Sequence, residues 1–193
     1  MGAMLDACRD AADLIDRASK RRMPVLVAVD GRSGVGKSTF AASLADATGA
    51  AVIEGDAFYA GGLAVRSDTP AERADACIDR PKLRVVLEHL KAGRPSTFRP
   101  FDWEFFDGRL STAAVTVEPQ PVVILEGVYA AHPDLADLLD VKLLLCTSAA
   151  VRHQRLIERE GTIGPWERQW HEAEDWYFSK LAKPHRFDRI IMI

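Results

Sequence analysis

The residues that could do chemistry begin with Gly31-Arg32-Ser33-Gly34-Val35-Gly36-Lys37-Ser38-Thr39. The stretch follows the apolar run Val25–Val29 and leads into Phe40–Ala45, which has helical character. A glycine-rich turn between a buried strand and a helix N-terminus presents backbone N–H groups and the positive end of the helix dipole, and phosphate oxygens need both. The motif is a P-loop, so Gly31, Ser33, Gly34, Val35, Gly36, Lys37, Ser38 and Thr39 are the expected nucleotide-binding residues. Gly36 lets the backbone approach the phosphates, Lys37 reaches the β- and γ-phosphates, and the Ser38 hydroxyl is the usual Mg²⁺ ligand. The expected ligands are a nucleoside triphosphate and Mg²⁺.

Two carboxylates and a row of arginines would complete such a site. Asp56 follows the short apolar stretch 51–54, where an acid can accept a proton from, or orient, a hydroxyl attacking the γ-phosphate. The alternative is an Asp that caps a turn. Glu126 ends the apolar run Pro121–Leu125, where an unpaired carboxylate is costly, and a role at Mg²⁺ is favoured over a surface position. Behind Ser148, a helix N-cap, Arg152, Arg155 and Arg159 share one helical face. Residues 148–165 therefore read as a lid whose arginines, Arg152 and Arg155 above all, close over the triphosphate. The rival is a solvated helix in which Glu158 and Glu160 pair with neighbours.

The acceptor side is less specific. Residues 60–80 are polar and Gly-rich, and Arg66, Asp79 and Arg80 could meet substrate hydroxyls or phosphates or be solvated. Residues 97–109 interleave five aromatics with three acids and two arginines. Tyr59, Phe101, Asp102, Trp103 and Arg109 are the substrate-binding candidates, and the alternative is a satellite hydrophobic cluster.

The elements that must position these residues read as an α/β fold: a five-stranded parallel sheet with helices on both faces. The strands are expected near residues 25–30, 51–54, 121–127, 141–146 and 190–193, and one domain is expected over 1–193. Residues 1–22 form an N-terminal helical segment. Residues 97–118 read as a hairpin added to the main sheet. The amphipathic stretch carrying Trp166, Trp170, Ala173 and Tyr177 reads as a structural helix.

Composition narrows the classes. The formal charge of −3 and the absence of a long basic tract give no electrostatic reason to expect nucleic acid. Cys8, Cys77 and Cys146 have no metal-ligand spacing and fit a reducing compartment. No apolar run approaches the roughly 20 residues that cross a bilayer, and the expected location is the cytoplasm. Oligomeric state is not encoded in any of these patterns.

Over roughly residues 24–193 the chain resembles the uridine kinase and phosphoribulokinase group of P-loop kinases. The matching pieces are Asp30–Thr39, Gly55–Tyr59, Arg99-Pro100-Phe101-Asp102-Trp103, Ile124–Tyr129 and the arginine helix at 152–159. The resemblance implies ATP-dependent phosphorylation of a small-molecule hydroxyl, with Asp56 as acid-base residue and Glu126 near Mg²⁺. It departs at the acceptor end. The family's nucleoside kinases carry Tyr-Asp-Phe and a following His. Here Phe101 replaces the Tyr, Phe106 or a neighbour stands at the His, and one extra residue precedes Arg109. Base-reading donors are lost, and the acceptor is left as a nucleoside, sugar, vitamin-like or other small alcohol. A GTP-dependent switch would need a guanine-reading Asn-Lys-x-Asp stretch, which the sequence lacks. A nucleotide-sensing module without an acceptor is the remaining alternative.

Overall fold

The computed structural model describes residues 2–193; of the 1–22 segment, Met1 lies outside the described residues. In chain order the elements are α1 (Gly2–Ser19), β1 (Val25–Asp30), α2 (Lys37–Thr48), β2 (Ala51–Glu54), a 3-10 turn (Gly55–Phe58), α3 (Pro70–Ala76) and α4 (Arg80–Lys91). There follow β3 (Ser96–Phe98), β4 (Val115–Val117), β5 (Val122–Glu126), β6 (Val141–Cys146), α5 (Ala149–Glu160), α6 (Pro165–Lys180) and β7 (Arg189–Met192). Five strands form one sheet in the order β2-β5-β1-β6-β7, all parallel.

The central strand β1 is buried along its whole length and divides the core by its two-residue period. Val25, Val27 and Val29 pack with Phe40 and Leu44 of α2 and Ile15 of α1. Leu26 and Ala28 belong to the opposite cluster, with Leu83, Leu87 and Leu90 of α4 and Tyr177 of α6. Burial on both faces is why the strand reads as an unbroken apolar run rather than an alternating one.

Parallel registry sets the site. Val29 pairs with Glu126 and Glu54 also pairs with Glu126, so the C-terminal ends of β1, β2 and β5 lie side by side. That edge is where open α/β sheets hold ligands.

The hairpin departs from expectation. Ser96–Phe98 pairs antiparallel with Val115–Val117 as a separate two-stranded sheet, and a bridge joins Phe101 to Leu110. Its strand β3 packs on α4, and Phe98 meets the Phe58 ring at 4.6 Å. It extends the helix-covered face instead of the sheet edge.

Candidate active site

The P-loop runs from Gly31 to the start of α2. A side chain at Gly31 would put its Cβ 2.6 Å from the Leu145 carbonyl oxygen, and Gly36 begins α2 at φ 98°, in the left-handed region. Just before it, the buried Asp30 carboxylate accepts hydrogen bonds from Gly31 N–H (2.7 Å), Ala131 N–H (2.9 Å) and the Tyr177 hydroxyl (2.7 Å). Burial still pushes its pKa up to about 6. Lys37 Nζ donates to the Arg32 carbonyl at 3.3 Å. Ser38 Oγ donates to Glu126 Oε1 at 3.0 Å. Glu126 is buried, which raises its pKa against the opposing pull of Lys37 and Ser38.

Two cavities meet at this edge. The smaller, about 410 Å³, is lined by Gly36, Lys37, Ser38, Thr39, Glu126 and Arg155 among others. The larger, about 1000 Å³, has walls of Tyr59, Phe101, Trp103, Phe106, Trp166 and Trp170. Ser33, Asp56, Val128 and Arg159 line both. Asp56 stands in the 3-10 turn after β2, exposed, and its carboxylate takes part in no hydrogen bond or ion pair among the described residues.

The α5 arginines divide. Arg152 Nε donates to the Ser33 carbonyl at 2.9 Å, and Arg155 donates to the Val35 carbonyl at 3.1 Å. Arg159 pairs with Glu160 at 2.7 Å and still lines both cavities. Arg152 is partly buried, which lowers its pKa, while Glu174 opposes that shift from 3.9 Å.

The substrate-side candidates also divide. Tyr59, Phe101, Asp102 and Trp103 line the larger cavity; Arg66, Asp79, Arg80 and Arg109 do not line it. Arg66 is held by Asp68 and the Gly61 carbonyl, and Asp79 caps α4 by accepting from Lys82 N–H at 3.0 Å. Arg80 is buried against Asp75 and Asp134, and Arg109 pairs with Asp107. Each of these groups is engaged within the chain, and the expected contact with substrate finds no support in the lining of the larger cavity.

Sequence reasoning missed Glu174 and Tyr129 and gave α6 only a structural part. Glu174 is buried, and its carboxylate accepts from the Ser33 N–H (3.1 Å) and from the Ser33 hydroxyl. Trp166, Trp170 and Glu174 recur at four-residue spacing, and a Glu continuing a tryptophan face was the available signal. Tyr129 adopts φ 72° and Phe106 φ 46°, the two non-glycine positive values among the described residues, and both line the larger cavity. Such strained backbone tends to collect at functional sites.

No three His, Cys, Asp or Glu side chains among the described residues cluster into a self-sufficient metal cage. Mg²⁺ in phosphoryl-transfer sites takes one or two protein oxygens and completes its shell with phosphates and water. The adjacent Ser38 hydroxyl and Glu126 carboxylate fit that demand.

A phosphate cradle, a second cavity beside it and a carboxylate between them describe a P-loop phosphotransferase with an alcohol group as acceptor. The chain belongs to the phosphoribulokinase / uridine kinase family, whose model matches residues 26–163. Among curated relatives, a uridine kinase of Halobacterium salinarum is 31% identical over 169 residues, covering 82% of this chain and 72% of the relative. A uridine kinase of Latilactobacillus sakei is 30% identical over 149 residues, with 74% and 69% covered. The structure of a possible uridine kinase from Bacillus stearothermophilus superposes with TM-score 0.68 at 19% identity, over 94% of this chain and 99% of that one. D-glycerate 3-kinase from Cryptococcus neoformans superposes with TM-score 0.65 at 14% identity, over 96% and 95%. These two likenesses concern the fold. By family the chain is an ATP-dependent small-molecule kinase. No helix among the described residues is long and apolar enough to cross a membrane.

Proposed function

We propose that the chain transfers the γ-phosphate of ATP to a hydroxyl of a nucleoside-like or other small alcohol held in the larger cavity. The observation that carries this reading is the position of Asp56, on the lining of both the phosphate cradle and the aromatic cavity, with its carboxylate unengaged. The acceptor oxygen attacks the γ-phosphorus, the bond from that phosphorus to the β-phosphate oxygen breaks, and Asp56 orients the hydroxyl and takes its proton. The P-loop N–H groups and Lys37 hold the triphosphate. Arg152 and Arg155, already on the P-loop carbonyls, neutralise charge on the transferring group. Ser38 and Glu126 would hold Mg²⁺, which would supply charge neutralisation to the triphosphate.

The nucleoside-like acceptor is supported by the uridine kinase names of the relatives. Phe101 offers no phenolic hydroxyl, which keeps the acceptor class wider than pyrimidine nucleosides. The test is ADP release dependent on added alcohol, screened over nucleosides, sugars and coenzyme precursors. Asp56→Asn is expected to lower kcat by about 10²–10⁴ with the ATP KM held within about threefold. Turnover within about threefold of the parent protein would remove Asp56 from the reaction.

A further inference from the structure

The larger cavity has a charge and a wall composition that phosphoryl transfer alone does not require. Building on the kinase reading above, we infer that its acceptor is an alcohol bearing a cationic nitrogen, and that alcohols bearing a carboxylate or phosphate are refused.

Seven of the side chains lining this cavity are Asp or Glu, and Arg159 is the one Arg or Lys among them. Several of the acids have other work. Glu160 pairs with Arg159, Glu174 lies on the P-loop near Arg152, Asp56 serves the reacting hydroxyl, and Glu54 sits two residues before it. Asp102, Glu104 and Glu167 remain, interspersed in sequence with Trp103, Phe106 and Trp166, and none of them pairs with a cation among the described residues. Asp102 accepts the N–H groups of Glu104 and Phe105, and Glu167 accepts that of Gly164.

The rings make the second observation. Trp103 and Phe106 stack with centroids 5.9 Å apart, and Trp166 stands edge-on to Phe106 at 5.1 Å. Tyr59 lies 4.9 Å from Trp103 and 5.7 Å from Trp170. A cation within about 6 Å of such ring faces is attracted by their quadrupoles. Among the described residues the protein's own cation–π contacts are made by Arg32, Lys82 and Arg109 on Phe178, Phe58 and Phe105, rings that do not line the cavity. The cavity rings therefore remain available to a ligand cation.

A third observation concerns oxygen. The Tyr129 hydroxyl and the indole N–H groups of Trp166 and Trp170 are buried without a hydrogen-bond partner among the described residues, and all three residues line this cavity. Tyr129 and Trp170 are only 4% and 8% exposed. Buried donors left unpaired are costly, and hydroxyl oxygens of an alcohol would satisfy them. Carboxylate oxygens would do so only against the field of three acids. One like charge about 6 Å away weakens binding on the order of tenfold or more, with salt reducing the effect.

Two matched series test this: aminopropanediol, glycerol and glycerate, then pyridoxamine, pyridoxine and pyridoxate. Within each, the frame is similar and the charge runs from positive through neutral to negative. Each compound is assayed for ADP release with ATP and Mg²⁺, and for binding through tryptophan fluorescence. The expected order is cationic over neutral over anionic, by about tenfold per step in kcat/KM or affinity. A flat or reversed order overturns the inference. The charged order in binding with no ADP release anywhere would support charge selection while removing the transfer reading.

A probe independent of any frame is collisional quenching of Trp103, which is 43% exposed on the cavity wall. Caesium is expected to quench more strongly relative to iodide than it does with free tryptophan. Glu104→Gln is expected to narrow that ratio and the cationic preference about three- to tenfold, leaving the ATP KM unchanged. A caesium-to-iodide quenching ratio no higher than that of free tryptophan overturns the inference.

Discussion

Asp30 carries three hydrogen-bond donors on its carboxylate, and burial nonetheless raises its pKa from 3.8 to about 6. Desolvation outweighs the bonds because the group has no contact with water. The sign of the consequence follows from linkage. A folded-state pKa above the unfolded one means the folded protein holds that proton more tightly, so the stabilisation is full below about pH 4 and is lost as pH rises through about 6. A shift of this size amounts to about 3 kcal/mol. The expected result in urea unfolding is that the parent protein loses about 2–3 kcal/mol relative to Asp30→Asn between pH 4 and pH 7. Glu126, also raised by burial, is common to both proteins and cancels in the difference. A pH-independent difference would contradict the assignment.

Among the elements, α6 bears on most parts of the site. Its Trp166 and Trp170 line the larger cavity, Glu174 reaches Ser33 of the P-loop, and Tyr177 holds Asp30 at the end of β1. The start of α4 has the opposite character. Arg80 ties it to Asp75 and to Asp134 in the segment after β5, and lines neither cavity. Arg80→Ala is expected to cost about 1–3 kcal/mol, since Asp75 and Asp134 are mostly exposed and regain water. Thermal unfolding should fall by roughly 3–10 °C, with the acceptor KM within about threefold. A rise of more than tenfold in that KM at unchanged melting temperature would return Arg80 to the substrate.

For the whole molecule, the decisive feature is that β1, β2 and β5 end on one sheet edge, so that groups from distant parts of the chain meet around one phosphate cradle. A ligand that joins them stabilises the entire domain. At 100 times its Kd, ATP with Mg²⁺ is expected to add about 2.7 kcal/mol, raising the melting temperature by roughly 5–10 °C. Lys37→Ala should remove most of that shift, and an unchanged melting temperature in the parent protein would argue against nucleotide binding at the cradle.

All five strands of the main sheet were legible in the chain as short apolar runs; β1, β5 and β6 are written that way because they are buried on both faces, whereas the edge strands β2 and β7 bury only Ile53 and Ile191. The P-loop was legible for a related reason: its ligand-facing groups are backbone N–H groups within one contiguous stretch, carried between a strand and a helix. Asp56 and Glu126 could be picked out because they stand at strand ends. For Arg66, Arg80 and Arg109, acids lay within five residues, at Asp68, Asp75 and Asp107, and that proximity was the unused sign that their charges would be satisfied locally. Helical period assigned Trp166, Trp170 and Tyr177 to one face but could not say what that face would meet. That was decided by packing: α6 lies across the sheet edge, bringing Glu174 to a serine 141 positions earlier. The anion cradle is local and therefore sequence-encoded, whereas the acceptor cavity is assembled from side chains far apart in the chain, and only the folded arrangement defines its shape and charge.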